Sequence, residues 1–123
     1  MLTNFFVVFI GGGIGSVVRF GISLLTFHYY KTVFPLATLV SNILSCFVVG
    51  LAFYLLGEKM NTEMSLRLLL ITGFCGGFST FSAFSFDTVE LMKNGYILYA
   101  VLNVLVSISA CIGIIYLLTR SNA

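Results

Sequence analysis

"GFCGGFSTFSAFSF", residues 73–86, holds three glycines, three serines, one threonine and five phenylalanines. It lies inside a longer apolar run, so it reads as the middle of a membrane-spanning helix. Glycine costs about 1 kcal/mol relative to alanine in a helix, and Gly76-Gly77 followed by Ser79-Thr80 makes a poor helix core. Non-helical backbone at membrane depth survives only where protein or a polar cavity covers it. The stretch therefore predicts a third helix broken near its middle. Such breaks carry chemistry, because freed carbonyls bind cations and half-helix N-termini favour anions. Beyond the break, Ser82 and Ser85 lie three apart, as do Phe81 and Phe84. A phenyl edge is electropositive, so these rings either pack or turn an edge to an anion.

Around this stretch the chain is almost all membrane. Of its 123 residues 59% are hydrophobic and 8% charged, and the mean hydropathy is +1.12. A soluble domain of this length needs far more charge on its surface. A spanning helix needs about 20 apolar residues, and four such stretches fit: Asn4–Tyr29, Phe34–Leu56, Leu66–Leu91 and Tyr96–Thr119. Short loops are expected around Lys31, "GEKMNTEM" and "KNG". Pro35 stands where the second helix begins, a place that tolerates it. The expectation is one four-helix transmembrane domain over residues 1–123, with no soluble domain, lid or nucleotide site. The N-terminus lacks the basic start and short apolar core of a cleaved signal peptide. Four helices enclose little interior, so function calls for an oligomer.

Charge is nearly balanced across the membrane. Four spans put Lys59, Arg67 and Arg120 on one side and Lys31 and Lys93 on the other, three against two with Arg19 set aside. A Lys/Arg excess sets orientation. Its near absence fits either a small-number accident or a chain that inserts both ways and pairs antiparallel with itself.

The polar residues within the spans fall into stripes. "GGGIGSVVRF", residues 11–20, begins like a dinucleotide fingerprint, but Ser16 takes the third glycine position and no βαβ unit surrounds it. Gly11 with Gly15, and Gly12 with Ser16, instead form two small-xxx-small faces for close helix packing. Arg19 follows on the same helix. A cation within a span faces protein or water, so Arg19 either pairs structurally or gives an anion path a positive field. Thr38 and Asn42 share a face of the second helix. The Asn42 amide either bonds a neighbouring helix or donates to an anion. Tyr99, Asn103 and Ser107 make a four-residue stripe on the fourth helix, either packing glue or a line of donors. Asp87 and Glu90 are either the wet end of a span or the rim of a pore mouth. His28 beside Tyr29 and Tyr30 reads as interfacial. Cys46, Cys75 and Cys111 lie one to a helix with no CxxC or metal spacing, and read as small packing residues.

Together these segments resemble the Fluc (CrcB) family of fluoride channels. "GFCGGFSTFSAF" is similar to the family's G-x-x-GG-x-[ST]-T-F-S-T-F signature. "GGGIGSVVRF" resembles its G-G-x-x-G-x-x-x-R-[YF], and "TLVSNILSCFVVG" its T-x-x-x-N…G. The resemblance spans the whole chain and implies an antiparallel, dual-topology homodimer with two fluoride pores in the cell membrane. It implies that Phe81 and Phe84 line the pores, that Asn42 is the pore asparagine of helix two, and that Arg19 is the helix-one arginine. Thr38 shares the Asn42 face. It implies a polar track through Ser82, with Asn103 and Ser107 supplied from helix four. It also implies a structural Na⁺ at the dimer centre, held by the carbonyls of Gly76 and Ser79 from both subunits. The chain departs from the family pattern at Ala83, where threonine is common, at Ser45, where glycine is usual, and at Asp87, often glutamate.

The function expected is passive, fluoride-selective export from the cytoplasm. Fluoride and sodium ions, a second copy and the bilayer are the expected partners, with no nucleic acid. No nucleophile, base or ATP motif appears, so no enzyme is expected. Two rivals stand beside it. A small four-span multidrug exporter needs an acid within the membrane, and helices one, two and four hold no Asp or Glu. A non-transporting membrane subunit would explain the glycines but not the break with its aligned polar stripes.

Overall fold

The computed structural model describes residues 1–30 and 33–120. The turn expected around Lys31 falls outside the described residues. Four segments are long and apolar enough to cross a membrane: Leu2–Tyr29, Leu36–Leu56, Met64–Lys93 and Ile97–Thr119. They match the four expected spans to within two residues at each end.

The first span is one helix, α1 (Leu2–Tyr29). The second, α2 (Leu36–Leu56), starts directly after Pro35, whose missing N–H is no loss at a helix start. It ends at Gly57, whose φ of 44° is open to glycine without a Cβ penalty. The expected "GEKMNTEM" loop is instead largely helical, as α3 (Glu58–Thr62) and α4 (Met64–Arg67). Met60, fully buried, pins this turn to the bundle, and the Thr62 hydroxyl donates back to the Glu58 carbonyl at 3.0 Å.

The third span runs on from α4 through a π-helical stretch, Leu68–Cys75, into α5 (Gly76–Phe78). It resumes as α6 (Phe81–Lys93). Between them Ser79 (φ −93°, ψ 152°) and Thr80 (φ −149°, ψ 123°) are extended. The break foreseen in the glycine-serine stretch is thus present, and the wide turn before it loosens the same region. Gly95, with φ 85°, closes α6. There Tyr96 N–H donates to Leu91 O at 2.8 Å and Gly95 N–H to Met92 O at 3.2 Å, a Schellman ending. The fourth span is α7 (Ile97–Thr119).

The break is also where the third span changes neighbours. Before it, the π-helical stretch and α5 lie along α1; beyond it, α6 packs on α7, and α2 packs along α7. The α1 contact is backbone on backbone. Gly11 and Gly15 are buried. A Cβ on Gly11 would come within 2.6 Å of the Leu69 carbonyl oxygen, and one on Gly15 would overlap that of Phe74. Gly77 meets the Gly12 carbonyl in the same way. Small residues permit this approach where no hydrophobic drive separates protein from lipid.

The bundle buries polar side chains among apolar ones and is greasy outside. Ser41, Ser45, Asn103 and Ser107 are buried, while Phe5, Phe9, Phe20, Leu25 and Leu105 are exposed. An apolar exterior of this kind suits a lipid surround.

The glycine seam gives a paired test. Gly15→Ala forces α1 off the third span and should lower stability by about 1–3 kcal/mol. Gly13 has open space around its would-be Cβ, so Gly13→Ala should leave the thermal midpoint unchanged or raise it. Thermal unfolding in detergent, followed by size-exclusion chromatography, checks both.

Candidate functional site at the break

Breaking a helix frees backbone groups, and two of those freed here are met by side chains from α1 and α2. The Thr80 N–H, which an unbroken helix would direct to Gly76, donates to Asn42 Oδ1 at 3.2 Å. The Gly77 carbonyl accepts from Arg19 Nε at 3.2 Å. The Cys75 carbonyl accepts from Ser79 N–H at 2.9 Å, from the Ser79 hydroxyl at 2.8 Å and from the Ser45 hydroxyl at 3.2 Å. Thr80 caps α6, its Oγ1 accepting from Ala83 N–H at 3.3 Å and pairing with the Ser82 hydroxyl at 2.9 Å. The Gly76 carbonyl receives no donor among the described residues.

These contacts fix the asparagine's orientation. Its oxygen faces Thr80, so its NH₂ points elsewhere and is left to donate. Of the two readings of Arg19, the structural pairing is present, and its charge stays beside the break.

Beside the break opens a cavity of about 280 Å³, lined by Asn42, Ser79, Thr80, Phe81, Phe84 and Ser107 among others. The structure thus brings together five of the sequence candidates. The two rings lie 5.7 Å apart, centroid to centroid, and tilted by 42°. They differ in surroundings: Phe84 is 9% exposed and Phe81 79%. Ser82 is exposed and lies outside this lining.

A second network runs along α6 and α7. The Ser107 hydroxyl donates to Asn103 Oδ1 at 3.3 Å, Asn103 Nδ2 donates to Thr88 Oγ1 at 3.0 Å, and the Thr88 hydroxyl donates to the Phe84 carbonyl at 2.9 Å. Donor follows donor from Ser107 through Asn103 and Thr88 to the Phe84 carbonyl. Tyr99, the third member of the expected stripe, leaves this line and stacks on Tyr96 at 5.8 Å.

Thr38 lies apart from Asn42, although both are on one helix face. Its hydroxyl donates to Asp87 Oδ2 at 2.7 Å. Both residues belong to a separate cavity of about 320 Å³ that also holds Glu90, Asn94 and Tyr96 at the end of α6. His28 sits at the end of α1, edge-on to Tyr29.

Sequence reasoning gave no role to Thr80 as the cap or to Thr88 as the link between α7 and Phe84. A threonine directly before a new apolar run is a capping signal and was legible at Thr80. Thr88 had no such mark. Cys46 and Cys111, read as packing residues, both line the break cavity.

The family model described as CrcB-like protein, Camphor Resistance (CrcB), matches residues 6–118. The chain belongs to this family. It is 43% identical over 123 residues, 98% of each chain, to a protein of Azobacteroides pseudotrichonymphae genomovar. CFP2 named fluoride-specific ion channel FluC. Proteins of the same name match from Rhizobium etli strain CIAT 652, 47% identical over 73% of this chain and 72% of the relative, and from Shewanella pealeana, 40% identical over 94% and 93%. Membership in the CrcB family and four apolar spans make this a multi-pass membrane protein.

The role of Asn42 as a backbone acceptor is testable apart from transport. Asn42→Leu strands the Thr80 N–H and should cost about 1–3 kcal/mol. Asn42→Asp keeps an acceptor oxygen and should unfold closer to wild type. Thermal midpoints of the two variants in detergent decide it.

Proposed function

We propose that this CrcB-family chain is a fluoride-selective passive channel that exports fluoride from the cytoplasm through two pores of an antiparallel homodimer. The observation that carries this reading is the cavity on the break, where Asn42, Phe81, Phe84 and Ser107 meet, in a chain whose full-length relative bears the name of a fluoride-specific channel.

An isolated anion in low dielectric costs tens of kcal/mol, so a fluoride path must replace water with donors. The Asn42 NH₂ is one, its oxygen being held by Thr80. The N-terminus of α6 is another, since its macrodipole favours negative charge. The Ser107 hydroxyl is a third: its bond to Asn103 is long, 3.3 Å, and it would turn to an ion in the cavity. Phe81 and Phe84 present ring edges while keeping the path narrow. No Asp or Glu is among the described residues that line the cavity, so an anion meets no opposing charge there. A narrow path selects against larger chloride by size and coordination. No group in it performs chemistry, and the reading is of a transporter rather than an enzyme.

The dimer reading rests on two features. Phe81 is left exposed beside the cavity, and an antiparallel copy would cover it with its own rings. The Lys/Arg count of three against two gives no strong orientation. Gly76 and Ser79 fit a structural Na⁺: Ser79 lies in the break and Gly76 three residues before it, the Gly76 carbonyl receives no donor among the described residues, and unwound carbonyls suit such an ion. Bound there, it would offset part of the cost of nearby anions and tie the breaks of two subunits together.

Purified protein alone should make liposomes leak fluoride but not chloride, which separates a channel from a non-transporting subunit. Reporters fused to the C-terminus, one for each side of the membrane, should both give signal. A single-sided result would remove the antiparallel homodimer. Phe81→Ile should keep the fold, because the ring is exposed, yet lower fluoride flux by about tenfold if an edge contact of about 1.4 kcal/mol is lost. Normal flux in a folded Phe81→Ile protein would make the ring a packing residue only. Asn42→Asp, which removes the NH₂ donor, should lose fluoride flux even where its thermal midpoint is retained.

A further inference from the structure

The break cavity carries a second kind of ligand group that fluoride does not use. Cys46 lies one turn beyond Asn42 on α2, and Cys111 lies one turn beyond Ser107 on α7. A four-residue step keeps each cysteine on the face of the polar residue before it, and both line the same cavity as Asn42 and Ser107. Both thiols are free and only half-buried. α2 packs along α7, which brings the two cysteine-bearing faces to one cavity wall. Cys75 differs: it is buried, is absent from the lining, and donates its S–H to the Ser45 carbonyl at 3.7 Å.

We infer that Cys46 and Cys111 form a two-thiolate site for a soft, two-coordinate metal ion of the Cu(I), Ag(I) or Hg(II) class, set in the wall of the ion path. Soft thiolate ligands select such ions. Among the described residues no three His, Cys, Asp or Glu side chains come together, so the four-ligand set that structural zinc requires is missing. Binding is a ligand exchange without redox change. With Hg²⁺, two S–H bonds break, two S–Hg bonds form, and both protons leave to water in the cavity. The bound ion would occupy the wall facing Phe81 and Phe84 and obstruct passage. That last step rests on the cavity being the pore; the binding does not.

Purified protein is titrated with mercuric nitrate in a chloride-free buffer. Mercury-thiolate absorption and maleimide mass labelling report binding, and liposome fluoride efflux reports block. One equivalent per chain should protect Cys46 and Cys111 together. Cys46→Ser or Cys111→Ser should each need at least about tenfold more mercury, having lost one of two ligands. In liposomes, one equivalent should remove most of the wild-type flux, while Cys46→Ser/Cys111→Ser keeps most of its own untreated rate. Elution profiles confirm the fold, and the alanine pair replaces the serine pair if that fails to fold. No uptake by wild type, equal uptake by the double variant, or equally tight zinc binding would overturn the site. Stoichiometric mercury at both thiols with undiminished flux would uphold the site and instead reject this cavity as the fluoride path.

Discussion

A helix in lipid cannot release a backbone hydrogen bond to water, and the whole bundle is arranged around two residues that do release theirs. Ser79 and Thr80 are extended in mid-membrane. Their neighbours stay in place because α1 and α2 each send a polar side chain to the break. Arg19 takes the Gly77 carbonyl, and Asn42 takes the Thr80 N–H. The glycine seam on α1 has the same purpose. Only with Gly11 and Gly15 bare can α1 come near enough for a guanidinium one turn further on to reach a main-chain oxygen.

This constraint joins the break to the cavity beside it. The residue that holds the break open also lines the cavity and keeps a donor spare. An asparagine suits both tasks because it carries an acceptor and a donor on one planar group; serine or glutamate would bring different donors and charge. The α6–α7 network repeats the pattern. Asn103 accepts from Ser107 and donates to Thr88, so the polar stripe on α7 is cross-linked to the turn that carries Phe84.

Much of this was legible in the residues. Hydropathy alone separates the four spans, and Gly-Gly followed by Ser-Thr marks the break because no other reading suits a helix centre. Periodicity also put Asn103 and Ser107 on one face. What periodicity lacks is the identity of the partner. Thr38 and Asn42 share a face, yet the first meets Asp87 and the second Thr80, because the third span crosses α2 with its wet end at one residue and its break at the other. The helical turn through Met60 escaped notice because its polar composition resembles a loop, and a single buried methionine docks it on the bundle. That Cys46 and Cys111 line one cavity was illegible for a related reason: residues on different helices are brought together only by packing.

The pairing of Arg19 with Gly77 also bears on how the protein is made. The two residues are 58 positions apart, and a ribosome adding about 5–20 residues per second needs roughly 3–12 seconds to bridge them. Through that interval α1 has left the ribosome carrying a charge with nothing to answer it, and Asn42 must wait for Thr80 as well. Neither helix has a finished home in the bilayer until the third one arrives. The contacts that anchor Arg19 and Asn42 therefore form only after residues 77–80 have been made, when about two thirds of the chain is complete.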